Sequence, residues 1–118
     1  MYVAVESGDP DAALLLDVYH IYKGGSDFKG LSLVDGKAVK VLHMNDYPDI
    51  SRDKIGDADR VYPGEGVGPV GQVLRTLVAT GFTGVLSLEL FNRTYWEQDP
   101  ATVLKKGIDS MKKAVAAM

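Results

Sequence analysis

The sequence contains no cysteine. That absence excludes a disulfide framework, a thiolate zinc site and a cysteine nucleophile. Histidine is scarce, at 2 residues, which weighs against a multi-zinc phosphodiesterase centre of the kind found in nucleases. No charge of one sign dominates: 13 Lys+Arg against 16 Asp+Glu give a formal charge of -3, so nothing draws the chain generally to nucleic acid or anionic lipid. No apolar run approaches the roughly 18 residues of a membrane span, and no basic-then-apolar leader opens the chain. A soluble, cytoplasmic protein with neither a membrane nor a nucleic-acid partner is therefore expected. With 46% hydrophobic and 25% charged residues, disorder is excluded. A length of 118 residues suits a single domain, 1–118.

Glycine, by contrast, is abundant: 13 of 118 residues, about 11% against a usual ~7%. The glycines cluster at Gly24-Gly25, Gly64 to Gly71 and Gly81 to Gly84, as turns between regular elements would. Three short apolar runs lie among them. Residues 12–18 (AALLLDV), 39–45 (beginning VKVLHM) and 85–91 (VLSLELF) have the length and composition of strands buried in a parallel sheet. Val70, Val73, Leu74, Leu77 and Val78 predict an amphipathic helix over 69–80, with Pro69 in its first turn and Gly81 as its stop. Asp99-Pro100 caps a second helix, 100–116, whose apolar face carries Leu104, Ile108, Met111 and Val115. Gly107 weakens that helix by about 1 kcal/mol relative to Ala. Leu31 to Val39 reads as one poor helix broken at Gly36. Strands alternating with helices predict an α/β fold of parallel βαβ units.

Each strand carries a polar residue near its C-terminal end: Asp17, His43 and Glu89. In parallel α/β architectures these ends share one face, where active sites are built. Any one of the three alone is more simply a loop cap or a lysine partner. Together they form an O/N/O set that suits Mn²⁺, Mg²⁺, Co²⁺, Zn²⁺ or Fe²⁺. His20, three residues past Asp17, either contacts a substrate hydroxyl, orients a ligand or lies free in a loop. The glycine-rich run Arg60 to Gly68 ends on a helix and offers backbone N–H groups to an anion, with Arg60 as a bidentate partner, or is simply a tight turn. It is neither a dinucleotide fingerprint nor a Walker loop. Tyr95-Trp96 either lines a sugar pocket or, more simply, anchors the last helix.

Four ordered segments, Leu16-Asp17-Val18-Tyr19-His20, Val41-Leu42-His43-Met44-Asn45-Asp46, Arg60-Val61-Tyr62-Pro63-Gly64-Glu65-Gly66 and Leu86-Ser87-Leu88-Glu89-Leu90-Phe91-Asn92, give the chain a specific likeness. It resembles the C-terminal part of the xylose isomerase-like TIM barrels, the sugar phosphate isomerase/epimerase superfamily. The resemblance implies that the strands are the sixth, seventh and eighth of a barrel, and that Met1 lies in or near the fifth helix. It implies Asp17, His43 and Glu89 as metal ligands, His20 and Arg60 as substrate-binding residues, and Glu89 as one of two glutamates that move a proton through an enediolate. A divalent cofactor follows, Mn²⁺ first, with Mg²⁺, Co²⁺ or Zn²⁺ as alternatives. The expected activity is isomerisation or epimerisation of a small sugar, sugar phosphate or keto acid, in carbohydrate metabolism. A complete barrel needs about 250 residues and eight strands. The expected partner is therefore the missing N-terminal part of the barrel, or further copies in a homo-oligomer. The alternative is a non-catalytic, self-associating α/β module that binds metal or a small polyol.

Overall fold

A computed structural model of the protein describes residues 2–118. Three short strands, β1 (Leu14–Asp17), β2 (Val39–Met44) and β3 (Val85–Leu88), form one parallel sheet in the order β1-β2-β3. Asp17 pairs with His43, and Met44 with Leu88. Glu89 thus follows directly on the last paired residue of β3. The helices are α1 (Tyr2–Ser7), α2 (Val18–Lys23), α3 (Val70–Ala79), α4 (Arg93–Trp96) and α5 (Pro100–Ala116). The architecture is α/β with parallel strands, as the alternation of apolar runs and helical periodicity predicts.

Several boundaries differ from the sequence expectation, each for a local reason. β1 ends at Asp17 because that residue caps α2, its carboxylate accepting the His20 N–H at 3.0 Å. Val18 accordingly opens a helix that its β-branched and aromatic neighbours do not advertise. The segment Leu31 to Val39 holds no α-helix; two 3₁₀ turns occupy Lys29–Leu33 and Gly36–Ala38. Gly36 lies against the backbone at Thr80 and Phe82, where a β-carbon has no room. Pro69 stands at the N-cap of α3 rather than inside its first turn.

The core gathers between the sheet and α3, which buries Val70, Val73, Leu74 and Leu77 against Leu42, Met44 and Val18. Val78, assigned to the same face by periodicity, is half exposed. On α5 the tightly packed residue is Gly107: a β-carbon there would approach Leu88 Cδ2 to 2.6 Å, so the glycine that weakens the helix also lets it lie close on β3. Leu104 and Ile108 face outward, and Leu15 and Val85 are exposed on the two edge strands. Tyr95 stacks on Tyr62 at 4.5 Å between ring centroids, so it anchors its segment, while Trp96 is exposed.

Tyr47 stacks on Tyr22, centroids 4.2 Å apart, and is buried. Burial, and next the Asp46 charge, push its phenol from 10.0 up to about 12. The folded chain therefore holds a proton that the unfolded chain loses at lower pH, so this residue's stabilisation is intact below pH 10 and lost as pH rises toward about 12. Urea unfolding at stepped alkaline pH should show a loss through that window that is shallower in Tyr47→Phe; parallel curves for the two proteins would contradict this.

Candidate metal centre

The C-terminal ends of the strands bring Asp17, His43 and Glu89 together. One ligand atom from each lies within 4.8 Å of the others, the single such group among the described residues. His43 Nδ1 sits 3.3 Å from Asp17 Oδ2 and 3.2 Å from Glu89 Oε2. Two ligand atoms about 2.1 Å from a common ion, at near-tetrahedral angles, are about 3.4 Å apart. The spacing and the O/N/O chemistry of these three groups therefore fit one divalent ion. Asp17 is buried, while His43 and Glu89 are partly open, so the ligand set has one closed and one accessible side.

Arg60, 1% exposed, lies across this cluster. Its Nη1 donates to Glu89 Oε2 at 2.7 Å and to Asp17 Oδ2 at 3.4 Å. Its Nη2 donates to Asp57 and to His20 Nε2, the latter at 3.0 Å. A guanidinium only donates, so His20 Nε2 presents its lone pair in that contact. The Tyr19 and Phe91 rings flank the guanidinium, 4.5 and 4.9 Å from its carbon. Burial works against the Arg60 charge, but the hydrogen bonds to Glu89 and Asp57 and the field of Asp17 outweigh it, raising the pKa above the ordinary guanidinium value. Arg60 offsets one of the carboxylate charges at the centre and leaves net negative charge for a cation.

The five residues to which the family resemblance assigns metal or substrate roles, Asp17, His20, His43, Arg60 and Glu89, thus meet in one place. Three others that the sequence reading assigned no role hold them there. Asn45, fully buried, bonds Asp17 and the Glu89 carbonyl oxygen. Asp57 pairs with Arg60 and stands 4.0 Å from His20. Asp46, also buried, accepts the N–H groups of Gly64, Gly66 and Gly68 at 2.9, 3.1 and 2.8 Å. The glycine-rich loop does bind an anion, as its composition suggests, but that anion is the protein's own Asp46. Asn45 and Asp46 directly follow β2, so the rule that singles out polar residues at strand ends could have found both.

The xylose isomerase-like TIM barrel family model matches residues 2–114. The chain belongs to that family. It is 32% identical over 116 residues to an inosose isomerase of Halalkalibacterium halodurans, covering 98% of this chain and 41% of the relative. It is 33% identical over 107 residues to the inosose isomerase of Bacillus subtilis, covering 87% of this chain and 38% of the relative. Among solved structures, the IolI protein with a bound zinc atom superposes with a TM-score of 0.92 at 27% identity, over 98% of this chain and 41% of that one. The chain thus spans about two fifths of the length of these xylose isomerase-like relatives, and its three-stranded sheet is a part of their barrel.

Proposed function

We propose that the chain supplies the last three strand–helix units of a divalent-metal-dependent isomerase, which moves a proton next to the carbonyl of an inosose or a similar small sugar. The convergence of Asp17, His43 and Glu89 at the C-terminal ends of three parallel strands carries this reading. The names of the relatives support the substrate class. The ion is of the Mn²⁺ or Zn²⁺ type: two carboxylates and an imidazole suit both, and one structural relative holds zinc. A cation held by these residues supplies Lewis-acid polarisation of the substrate carbonyl.

The chain's own residues do the rest. Glu89 Oε2 is engaged by Arg60, which leaves Oε1 to take the proton from the hydroxyl-bearing carbon beside the carbonyl, as one of two carboxylates that move it. The C–H electron pair passes into an enediolate, the hydroxyl proton of that carbon passes to the former carbonyl oxygen, and a proton is returned to the former carbonyl carbon, so no external oxidant or reductant is needed. His20, whose side chain is 58% exposed, is open to bind a substrate oxygen, while Arg60, buried and committed to Asp17, Glu89, Asp57 and His20, orients these groups from behind. The remaining strands, and the second proton-moving carboxylate, come from another segment or another copy.

The test is deuterium uptake. The protein is loaded with Zn²⁺ or Mn²⁺ and incubated with an inosose in D₂O, and the proton beside the carbonyl is followed by NMR. Exchange in the wild type, together with metal binding weakened on the order of 100-fold in His43→Ala, supports the reading. Stoichiometric metal binding without exchange would favour the non-catalytic module for this chain.

A further inference from the structure

The Asn45 side chain, like that of His43, bridges the C-terminal ends of the two outer strands. The residue follows β2 directly. Its Oδ1 accepts the Tyr19 N–H at 2.9 Å, at the start of α2 just beyond β1. Its Nδ2 lies 3.2 Å from both Asp17 carboxylate oxygens and 3.4 Å from the Glu89 carbonyl oxygen. The orientation of the amide is settled by these partners. Tyr19 N–H can only donate, and the three oxygens on the other side can only accept, so a flipped amide would lose every bond. With 0% exposure, no water competes for these groups.

The consequence falls on Asp17. Its Oδ1 is held by the His20 N–H at 3.0 Å, while Oδ2 faces His43 Nδ1 at 3.3 Å. A carboxylate on a short side chain can rotate about its last bond and turn either edge toward a cation. The amide nitrogen, equidistant from both oxygens, resists turning the carboxylate out of its plane, while the His20 N–H engages Oδ1. The amide also ties the β1 ligand to the backbone of the Glu89 ligand, so that two of the three donors move as a unit. We propose that Asn45 is a positioning residue of the metal centre, whose amide fixes the Asp17 carboxylate so that Oδ2 faces the cation. This rests on the metal-centre reading above. It goes beyond that reading by assigning the geometry of the site to a residue that touches neither metal nor substrate.

The probe is Zn²⁺, titrated by calorimetry against a competing chelator, with metal-free thermal unfolding recorded in parallel. Asn45→Ala should bind Zn²⁺ on the order of 10–100-fold more weakly than wild type, the usual effect of losing such an outer partner. A double-mutant cycle separates positioning from packing. On an Asp17→Ala background, which has no carboxylate to orient, Asn45→Ala should cost less than about twofold further. Equal losses on both backgrounds would make Asn45 a packing residue and overturn the proposal. So would wild-type affinity in the single variant, with the metal reading left standing. Failure of the wild type to bind Zn²⁺ would instead remove the metal reading and the inference together. Should Asn45→Ala not fold, the wild type decides by NMR. Zn²⁺ should slow exchange of the Asn45 side-chain amide protons several-fold more than those of Asn92, and equal slowing would overturn the proposal.

Discussion

Glu89→Gln should abolish deuterium uptake by the substrate, lowering its rate on the order of 10³-fold, while the protein still binds its metal. General-base groups contribute about 10²–10⁴ to proton transfer, so a loss in that range is the signature of a base rather than of a binding group. The surroundings of Glu89 make the substitution unusually clean. Arg60 Nη1 donates to Oε2 at 2.7 Å, and Arg60 is itself buried and clamped by Asp17, Asp57 and two aromatic rings. In the glutamine variant the guanidinium can donate only to the amide oxygen, because two donors cannot face each other. The amide oxygen is therefore held where Oε2 stood, still able to ligate a cation. The NH₂ group lands where Oε1 stood and cannot take a proton. Metal affinity should fall by about tenfold, reflecting the lost charge, far less than the rate. If uptake persists within tenfold of wild type, Glu89 is a ligand only and the proton goes elsewhere. If metal binding vanishes along with uptake, the two roles are not separable at this residue.

The candidate centre was legible in the sequence because of a one-dimensional signal. Asp17, His43 and Glu89 each interrupt an apolar run near its end, and parallel strands turn that repetition into proximity, as the pairing of Asp17 with His43 shows. The fold class was legible for the same reason. What was not legible depends on contacts between distant segments. Arg60 is the largest fully buried side chain, yet nothing in its neighbourhood in sequence says so. It packs against Tyr19, in α2, and Phe91, three residues past β3, residues far from it in sequence. α2 is not legible in the sequence because Val18–Lys23 has weak helix propensity; it is held by the Asp17 cap and by Asn45 accepting the Tyr19 N–H. Val78, Leu104 and Ile108 fit a helical apolar face but lie exposed, since periodicity records what a helix can bury, and the neighbours present here bury only part of it.

The largest loss of stability is expected from Asp46→Ala. This carboxylate is 1% exposed and has no cationic partner among the described residues; its charge is met wholly by backbone. It accepts the N–H of Tyr47 at 2.8 Å in addition to those of Gly64, Gly66 and Gly68. Hydrogen bonds to a charged group contribute about 1.5–3 kcal/mol each, and a buried donor left without a partner costs about 1–3 kcal/mol. These effects do not add fully, because the loop can relax and admit water, so the expected cost is about 3–5 kcal/mol. Against the 5–15 kcal/mol typical of a whole domain, that is a large fraction. The geometry leaves no simple replacement: a β-carbon on Gly68 would come within 2.7 Å of Asp46 Oδ1, so loop and carboxylate fit only each other. Asp46→Asn should fall between alanine and wild type, keeping one acceptor oxygen and setting its NH₂ against N–H donors. The damage should also reach the metal centre. The Asp46 backbone exchanges hydrogen bonds with Val61 at 3.0 and 2.9 Å, one residue from Arg60, so a loosened loop frees the guanidinium that steadies Glu89. Urea unfolding measures the first effect, and hydrogen exchange at the Gly64, Gly66 and Gly68 amides localises it. A loss below about 1 kcal/mol, with those amides still protected, would mean that other acceptors hold the loop and that Asp46 is not its organising group.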